Sequence, residues 1–348
     1  MPCKILTYEQ IDRTEWSALV QSSSTGTWFQ TPEAYEFFVS QPELFRPFVV
    51  GIVNNPESDS GAMNKETLRG VCVGYVTVEK RVLKQFFTRR AIIIGGPALA
   101  NDATDDEVTA LMSAVRQQLQ SQAIYIETRN FNDYSRWKDA FAKAGFVYQP
   151  HLNFHVHTNQ AWDTIEANIG KHRKKYIRLS FRDGATIEEN PSIEQVRAYY
   201  DILLELYQTK VKMPLQPWNF FEKLYYCDSC KYLLVLFEGQ VVGGSVCMLL
   251  PDHGVYEWYA CGKDGLFKNI HPSSVTKYAG MKYACDNGYA VFDMMGAGKP
   301  GEEYGVRDFK AEFGGELVEH GRFRTISNRM LYALGTCIVS LIKMNLKK

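Results

Sequence analysis

One order of elements runs through the chain twice, and it restricts the possible folds more than any single motif does. In the first half, Phe48 to Val53 reads as a strand, 54–65 as a polar hairpin tip, and Leu68 to Val78 (LRGVCVGYVTV) as the returning arm. Ala91 to Ile94 is a further strand, Asp105 to Ser121 an amphipathic helix, and Ala123 to Thr128 a strand. In the second half, Leu233 to Phe237 turns at Glu238-Gly239-Gln240 into Val241 to Leu250 (VVGGSVCMLL). Strand Gly254 to Cys261, helix Ser273 to Asp286 and strand Tyr289 to Met295 follow. Hairpin, strand, helix and strand recur, with weak identity between the copies. This recurrence predicts a tandem duplication of one α/β unit of roughly 150 residues, its seam near Gln149-Pro150. A length of 348 residues agrees, being too long for one ordinary core.

Flanking elements complete the plan. Ile5-Leu6 reads as a strand and Tyr8 to Val20 as a helix; Thr31 is placed to cap a helix over Glu33 to Val39, with Pro32 at its first position. Trp137 to Ala144 is a helix closed by Gly145. A helix pair, Ser192 to Thr209 and Trp218 to Tyr226, is joined by the apolar loop KVKMPLQP, which is expected to line something. Before it, GKHRKKYIRLSFR (Gly170 to Arg182) turns Ile169, Tyr176, Ile177, Leu179 and Ser180 to one face. Its basic residues, among them Lys171, Arg173, Lys174 and Arg178, are either a solvated face or a ridge for the phosphates of RNA or of a nucleotide-linked substrate.

Lysine plus arginine and aspartate plus glutamate both number 39, so no global field draws in nucleic acid or an anionic surface. The eight cysteines are scattered, several in apolar runs such as Val246-Cys247-Met248, the pattern of reduced thiols in a cytoplasmic protein. MPCKILTYEQ has no signal-peptide core. No segment offers about 20 uninterrupted apolar residues for a membrane span. Met330 to Leu346 has helical apolar spacing. It is expected to dock on the protein, the alternative being peripheral contact with the cytoplasmic membrane through Lys343, Lys347 and Lys348.

Several common chemistries are poorly served. Cys227-Asp-Ser-Cys230 has no second CxxC or CxxH to complete a zinc quartet. His151, His155 and His157 alternate along one strand face without a carboxylate at coordinating spacing, so no metal site is expected. Gly296-Ala-Gly-Lys299-Pro lacks the spacing and the Ser/Thr of a phosphate-binding loop, and no GxSxG or HExxH run occurs.

The remaining candidate is Val291 to Glu316, VFDMMGAGKPGEEYGVRDFKAEFGGE. A short strand delivers Asp293, opens into a glycine-rich loop and re-enters order at Phe309-Lys310; sites are usually built on such loops. Together with KHRKKYIRLSFRDGATIEEN, VGGSVCMLL and the helix YAGMKYACDNGY, the runs FDMMGAG and FKAEFGGE make nearly the whole chain resemble the Fem family. These are the aminoacyltransferases that build peptidoglycan interpeptide bridges. The resemblance implies an α/β fold of two tandem acetyltransferase-like (GNAT) domains with mixed sheets, residues 1–150 plus 322–348 and residues 151–321. The C-terminal helix is then expected to pack back on the first domain.

The resemblance also implies a reaction: transfer of an aminoacyl group from aminoacyl-tRNA to an amine of a cell-wall precursor or surface-glycan acceptor, without a cofactor or a DNA partner. An activated ester attacked by an amine needs positioning and a cation for the developing oxyanion. By resemblance Lys310, flanked by Phe309 and Phe313, supplies that charge in a cleft of the second domain; the plain alternative is an exposed strand lysine. Asp293 accepts an amine proton, orients Lys310 or binds loop amides. Tyr256 and Tyr259 are cleft walls or core tyrosines, and Tyr304 and Arg307 are loop contacts to substrate. Trp28 and Gln30, in the family-like TWFQTPEAY, are expected substrate contacts of the first domain.

Two departures bear on the acceptor. Better-understood members place a lysine soon after the glutamine of this segment to hold a nucleotide diphosphate, whereas TPEAYEFFVSQ follows Gln30. Their second phosphate-binding arginine is replaced by TKVKMPLQP, where Lys210 or Lys212 is the available cation. Both point away from a UDP-linked muropeptide, and KVKMPLQPWNFFEKL is similar to Fem-like proteins associated with exopolysaccharide export. An acyl-CoA-dependent GNAT enzyme acting on an amino sugar or amino acid is the alternative, although Lys268 to Ser274 (KNIHPSS) lacks the glycine turn that holds a CoA pyrophosphate. A non-catalytic ligand-binding module is the third reading.

Overall fold

A computed structural model describes residues 3–54, 66–79 and 87–336. The chain divides into two compact units, 1–151 with 320–348, and 152–319. The expected hairpin tip lies, beyond Asn54 and before Glu66, outside the described residues.

The first unit is an eight-stranded sheet of β1 (Lys4–Leu6), β2 (Phe45–Val53), β3 (Leu68–Thr77), β4 (Ala91–Gly95), β5 (Ala98–Leu99), β6 (Tyr125–Asn130), β7 (Val147–Gln149) and β15 (Arg322–Ile326). Its order is β1-β2-β3-β4-β6-β15-β7, with β5 on β3. Strands β2, β3 and β4 are antiparallel, while β4 and β6 are parallel, Ala91 opposite Ile126. The helix Asp105–Leu119 is the crossover that a parallel pair requires. It opens in a capping box: the Glu107 carboxylate accepts the Thr104 N–H (2.8 Å) and the Thr104 hydroxyl accepts the Glu107 N–H (3.3 Å). Val108, Leu111, Met112, Val115 and Leu119 then form its buried stripe.

The second unit repeats this scheme with β8 (Asn153–His157), β9 (Thr186–Glu188), β10 (Cys230–Phe237), β11 (Gln240–Leu250), β12 (Gly254–Gly262), β13 (Val291–Asp293) and β14 (Glu316–Val318), in the order β14-β8-β13-β12-β11-β10-β9. Strands β10, β11 and β12 are antiparallel, β12 and β13 parallel, and the helix Pro272–Asp286 crosses between them. That helix is buried on several sides, by Val275, Ala279, Met281 and Ala284 among others, and so shows no amphipathic stripe. At Gly280 an added Cβ would come within 2.4 Å of the Phe292 ring, so β13 packs directly on helix backbone.

Some boundaries differ from expectation. The first helix divides at Asp12, whose side chain accepts the Glu15 N–H (2.9 Å) and starts a new helix, Arg13–Ser22, after a short turn at Tyr8–Gln10. The helix from Ile193 ends at Leu206 and widens into a π-type turn, Tyr207–Val211, stopped by Lys212 at φ 53°. Phe309-Lys310 lies on a helix, Gly305–Ala311, because the amides of Arg307 and Asp308 bond back to the Tyr304 carbonyl (2.8 and 3.3 Å). The C-terminal helix is described over 329–336. There Tyr332 meets the Tyr125 ring edge-on (5.7 Å) and its hydroxyl accepts from Arg324 (2.8 Å), which places it on β6 and β15 of the first unit. No helix among the described residues is long and apolar enough to cross a membrane.

One irregularity prepares the site. β13 pairs with only the first three residues of β12, Gly254↔Val291 to Tyr256↔Asp293, whereas β12 runs on to Gly262. From Glu257 onward the two parallel strands part.

Candidate active site

A cleft of about 260 Å³ lies where β12 and β13 separate. Crevices beyond the carboxyl ends of parallel strands are the usual ligand sites of open α/β sheets, because no neighbouring strand fills them. Tyr207, Trp258, Tyr259 and Phe309 contribute rings to it, Met294 and Met295 its far side, and Glu257, Lys277 and Lys310 its charges. A bulge widens it: Val246 opposes Tyr259 and Cys247 opposes Glu257, so Trp258 has no opposite number on β11.

Lys310 is 6% exposed and donates to three main-chain carbonyls, those of Met294, Met295 (2.8 Å) and Gly296 (2.8 Å). An ammonium has three protons, and all three are used. Met295 at φ 49° and Gly296 at φ 74° give the turn the left-handed curvature that brings these carbonyls together. Burial pulls the Lys310 pKa down to about 8, the Asp293 carboxylate acting in the opposite direction. The loop amides are occupied as well: Gly296 donates to Asn153 Oδ1 (2.9 Å) and Ala297 to the Leu152 carbonyl (2.7 Å).

Asp293 is buried beneath the turn. Its Oδ1 accepts the Met295 N–H (2.6 Å) and the Asn153 side-chain N–H (2.8 Å), and its Oδ2 lies 3.2 Å from His155 Nε2. It thus binds a loop amide through Oδ1, and its charge also acts on Lys310. Burial pulls His155 down, but Asp293 outweighs it and, with Glu316 adding, holds the imidazole above its ordinary value.

The other expected residues are spread more widely. Phe309 and Tyr259 line the cleft, but Tyr256, buried on β12, does not. Tyr304 is exposed and its ring covers Gly298, where a Cβ would approach it to 2.9 Å. Arg307 gathers the carbonyls of its own loop, Lys299 (2.8 Å), Ala297 (3.5 Å) and Glu302, so its guanidinium is committed to loop structure. Lys212 is exposed at the π-type turn and does not line the cleft. Trp28 and Gln30 are interior to the first unit. The Gln30 amide accepts from Thr27 N (2.9 Å) and Thr27 Oγ1 and donates to the carbonyls of Ile94 (3.3 Å) and Gly96, which leaves it no surface for a substrate.

The basic run forms the helix Lys171–Arg182, but its members have different surroundings. Arg173 leaves the ridge: it lies 4.5 Å from the centre of the Phe309 ring and bonds Glu312 (2.8 Å) and Ser274 (3.3 Å). Lys174 bonds the Ala167 carbonyl (2.8 Å), Arg178 the Lys174 carbonyl (3.4 Å), and Lys171 is exposed. The three alternating histidines separate, since His151 meets Arg322 (2.8 Å) while His157 faces Glu316 (3.0 Å) at the surface. Among the described residues no group of His, Cys, Asp and Glu is arranged to hold a metal ion.

Two cleft residues escaped the sequence reading. Glu257 of β12 and Lys277 of the crossover helix form an ion pair with side chains only 2% and 6% exposed. Burial drives the Lys277 pKa well below the ordinary lysine value, with Lys310 acting in the same direction. The available signals were a lone acid within the aromatic run YEWY and a lysine, Lys277, close to Val275 and Ala279 in a helix buried on several sides.

Residues 238–340 match the model of the FemAB family. No curated protein matches the sequence. Among solved structures, the crystal structure of FemX superposes with a TM-score of 0.69 at 15% identity, covering 96% of this chain and 99% of FemX. The C-terminal domain of a putative lysylphosphatidylglycerol synthetase from Agrobacterium fabrum gives 0.57 at 12% identity, covering 95% and 96%. A tandem GNAT protein from the clavulanic acid biosynthesis pathway gives 0.53 at 8% identity, covering 94% and 99%. The chain is therefore FemAB-like over residues 238–340 and has the mixed α/β, two-sheet fold of FemX and tandem GNAT proteins.

Proposed function

We propose that the cleft of the second unit is an N-acyl transfer site of Fem type, in which an amine attacks an activated aminoacyl ester. The observation that carries this reading is the Lys310 ammonium, buried beside the cleft and holding three carbonyls of the turn that forms its far side. With its pKa near 8 it is charged at neutral pH. In a site of low dielectric, a fixed positive charge stabilises the oxyanion formed when the amine adds. Direct contact with that oxyanion requires one carbonyl to be released, so Lys310 acts first through its charge and through the shape of the turn.

The donor in this reading is aminoacyl-tRNA, and the acceptor an amine of a cell-wall precursor or surface glycan. The FemAB match and the FemX-like fold support it. The start of the helix Pro272–Asp286 favours a donor other than CoA. Its first N–H, on Ser273, is held by Asp264 (3.1 Å), and those of Ser274 and Val275 by the His271 carbonyl (3.0 and 3.2 Å). A pyrophosphate would find a carboxylate where helix amides usually receive it.

The test supplies labelled aminoacyl-tRNA or acetyl-CoA with cell-wall and surface-glycan amines and follows amide formation by mass spectrometry. Transfer from charged tRNA is expected. Transfer from acetyl-CoA alone, or none from either donor, would sink the reading.

A further inference from the structure

We infer that Glu257 and Lys277 form an acid–base pair that receives the acceptor amine, Glu257 taking the proton that the amine gives up and Lys277 protonating the leaving oxygen. The inference rests on the acyl-transfer reading above and assigns residues that the Lys310 turn does not account for.

The two side chains are ion-paired through Lys277 Nζ and Glu257 Oε2. The second carboxylate oxygen, Oε1, is buried without a hydrogen-bond partner, as is the neighbouring Thr276 hydroxyl, and both residues line the cleft. An unpartnered carboxylate oxygen is costly to bury, and what satisfies it is an N–H or O–H donor, most strongly a cationic one. A primary amine entering the cleft is such a donor. The pair also sits on regular elements: Glu257 is on β12 where β13 leaves it, and Lys277 is on a helix whose Val275 and Met281 are buried. The ionisable groups around it are Lys310, Asp293, Cys247, Cys261, Tyr207 and Tyr259.

The protons balance. The amine lone pair forms the C–N bond while the carbonyl electrons move to oxygen, and the nitrogen releases a proton to Glu257 Oε1. Collapse of the adduct breaks the ester C–O bond, and Lys277 gives a proton to the departing oxygen. The proton on Glu257 then crosses to Lys277, restoring the pair. Amine and ester become amide and alcohol.

The first test needs no donor. Calorimetry on the whole protein compares n-butylamine with n-butanol, with tighter binding of the amine by about tenfold or more expected from one charge-assisted contact. Glu257→Gln, which keeps the volume and a hydrogen bond to Lys277, should abolish that preference. Equal binding of both probes by the wild type, or a preference kept by Glu257→Gln, overturns the inference. In the transfer assay Glu257→Gln should lower kcat by about 10²- to 10⁴-fold, the range of a general base, and alter the pH profile, with part of the rate returning in Glu257→Asp. Wild-type turnover that survives in Glu257→Gln with an unaltered profile makes the pair structural. If the wild type turns over no aminoacyl donor, the acyl-transfer reading fails, while the amine-binding comparison still decides the pair.

Discussion

Lys310 and Asp293 hold one turn by its complementary groups: the ammonium takes the carbonyls of Met294, Met295 and Gly296, and the carboxylate takes the Met295 amide. Between them they fix Met295 in a left-handed conformation that costs a non-glycine residue roughly 1–3 kcal/mol.

Removing the ammonium should therefore affect both folding and turnover. Lys310→Met is expected to lower stability by about 1–3 kcal/mol, the scale of leaving buried polar groups without partners. It should also lower kcat by about 10²-fold or more, the scale of losing one electrostatic stabiliser of an oxyanion. Urea unfolding and steady-state kinetics read the two effects separately, and an unchanged rate in a folded variant removes Lys310 from the chemistry.

The pH dependence of these effects has opposite signs. Lys310 loses its proton near pH 8, so kcat/KM should fall as pH rises through that value, even though the acceptor amine becomes more reactive. For folding, the native pKa of about 8 lies below the ordinary 10.5, so the unfolded chain binds more protons between the two. Wild-type stability relative to Lys310→Met should accordingly rise across that window, as denaturant melts on either side of it will measure.

His155 reports the other half of the clamp. Against the pull of burial, Asp293 raises its pKa, so Asp293→Asn should lower the His155 titration midpoint observed by NMR. The stabilisation from the charged imidazole is complete below about 6.5 and is lost as pH rises through the higher native value. Asp293→Asn should hence destabilise more in acid than at neutral pH. A His155 midpoint that does not move would show that Asp293 carries no such influence.

How much of this could be read in advance follows from the range of each interaction. The hairpins, the crossover helices and the Thr31 cap are local patterns, and they were legible. The Glu257–Lys277 contact depends on a helix packing across a strand twenty residues distant, and Lys310 depends on main-chain curvature that glycine content only hints at. Gln30 shows the converse. Its motif was visible, but not that a capping box at Thr27 would consume its side chain.

The basic helix offers a further check. Alanine at Lys171, Lys174 and Arg178 should weaken binding of tRNA and reduce the slope of log affinity against log salt, each lost phosphate contact removing about 0.7–0.9 from it. Arg173→Ala should instead destabilise the second unit, since that guanidinium packs on Phe309 and pairs with Glu312. A salt slope unchanged by the triple variant would mark the ridge as a solvated face.

The place of β15 has a consequence for synthesis. It lies between β6 and β7, yet it follows the entire second unit in sequence. As the ribosome extends the chain, β6 keeps an unpaired edge and β7 has no strand partner until residues 322–326 emerge. The continuous second unit, with its cleft, can close earlier. A nascent chain stopped short of β15 therefore presents the β6 edge and the unpaired β7 to chaperones.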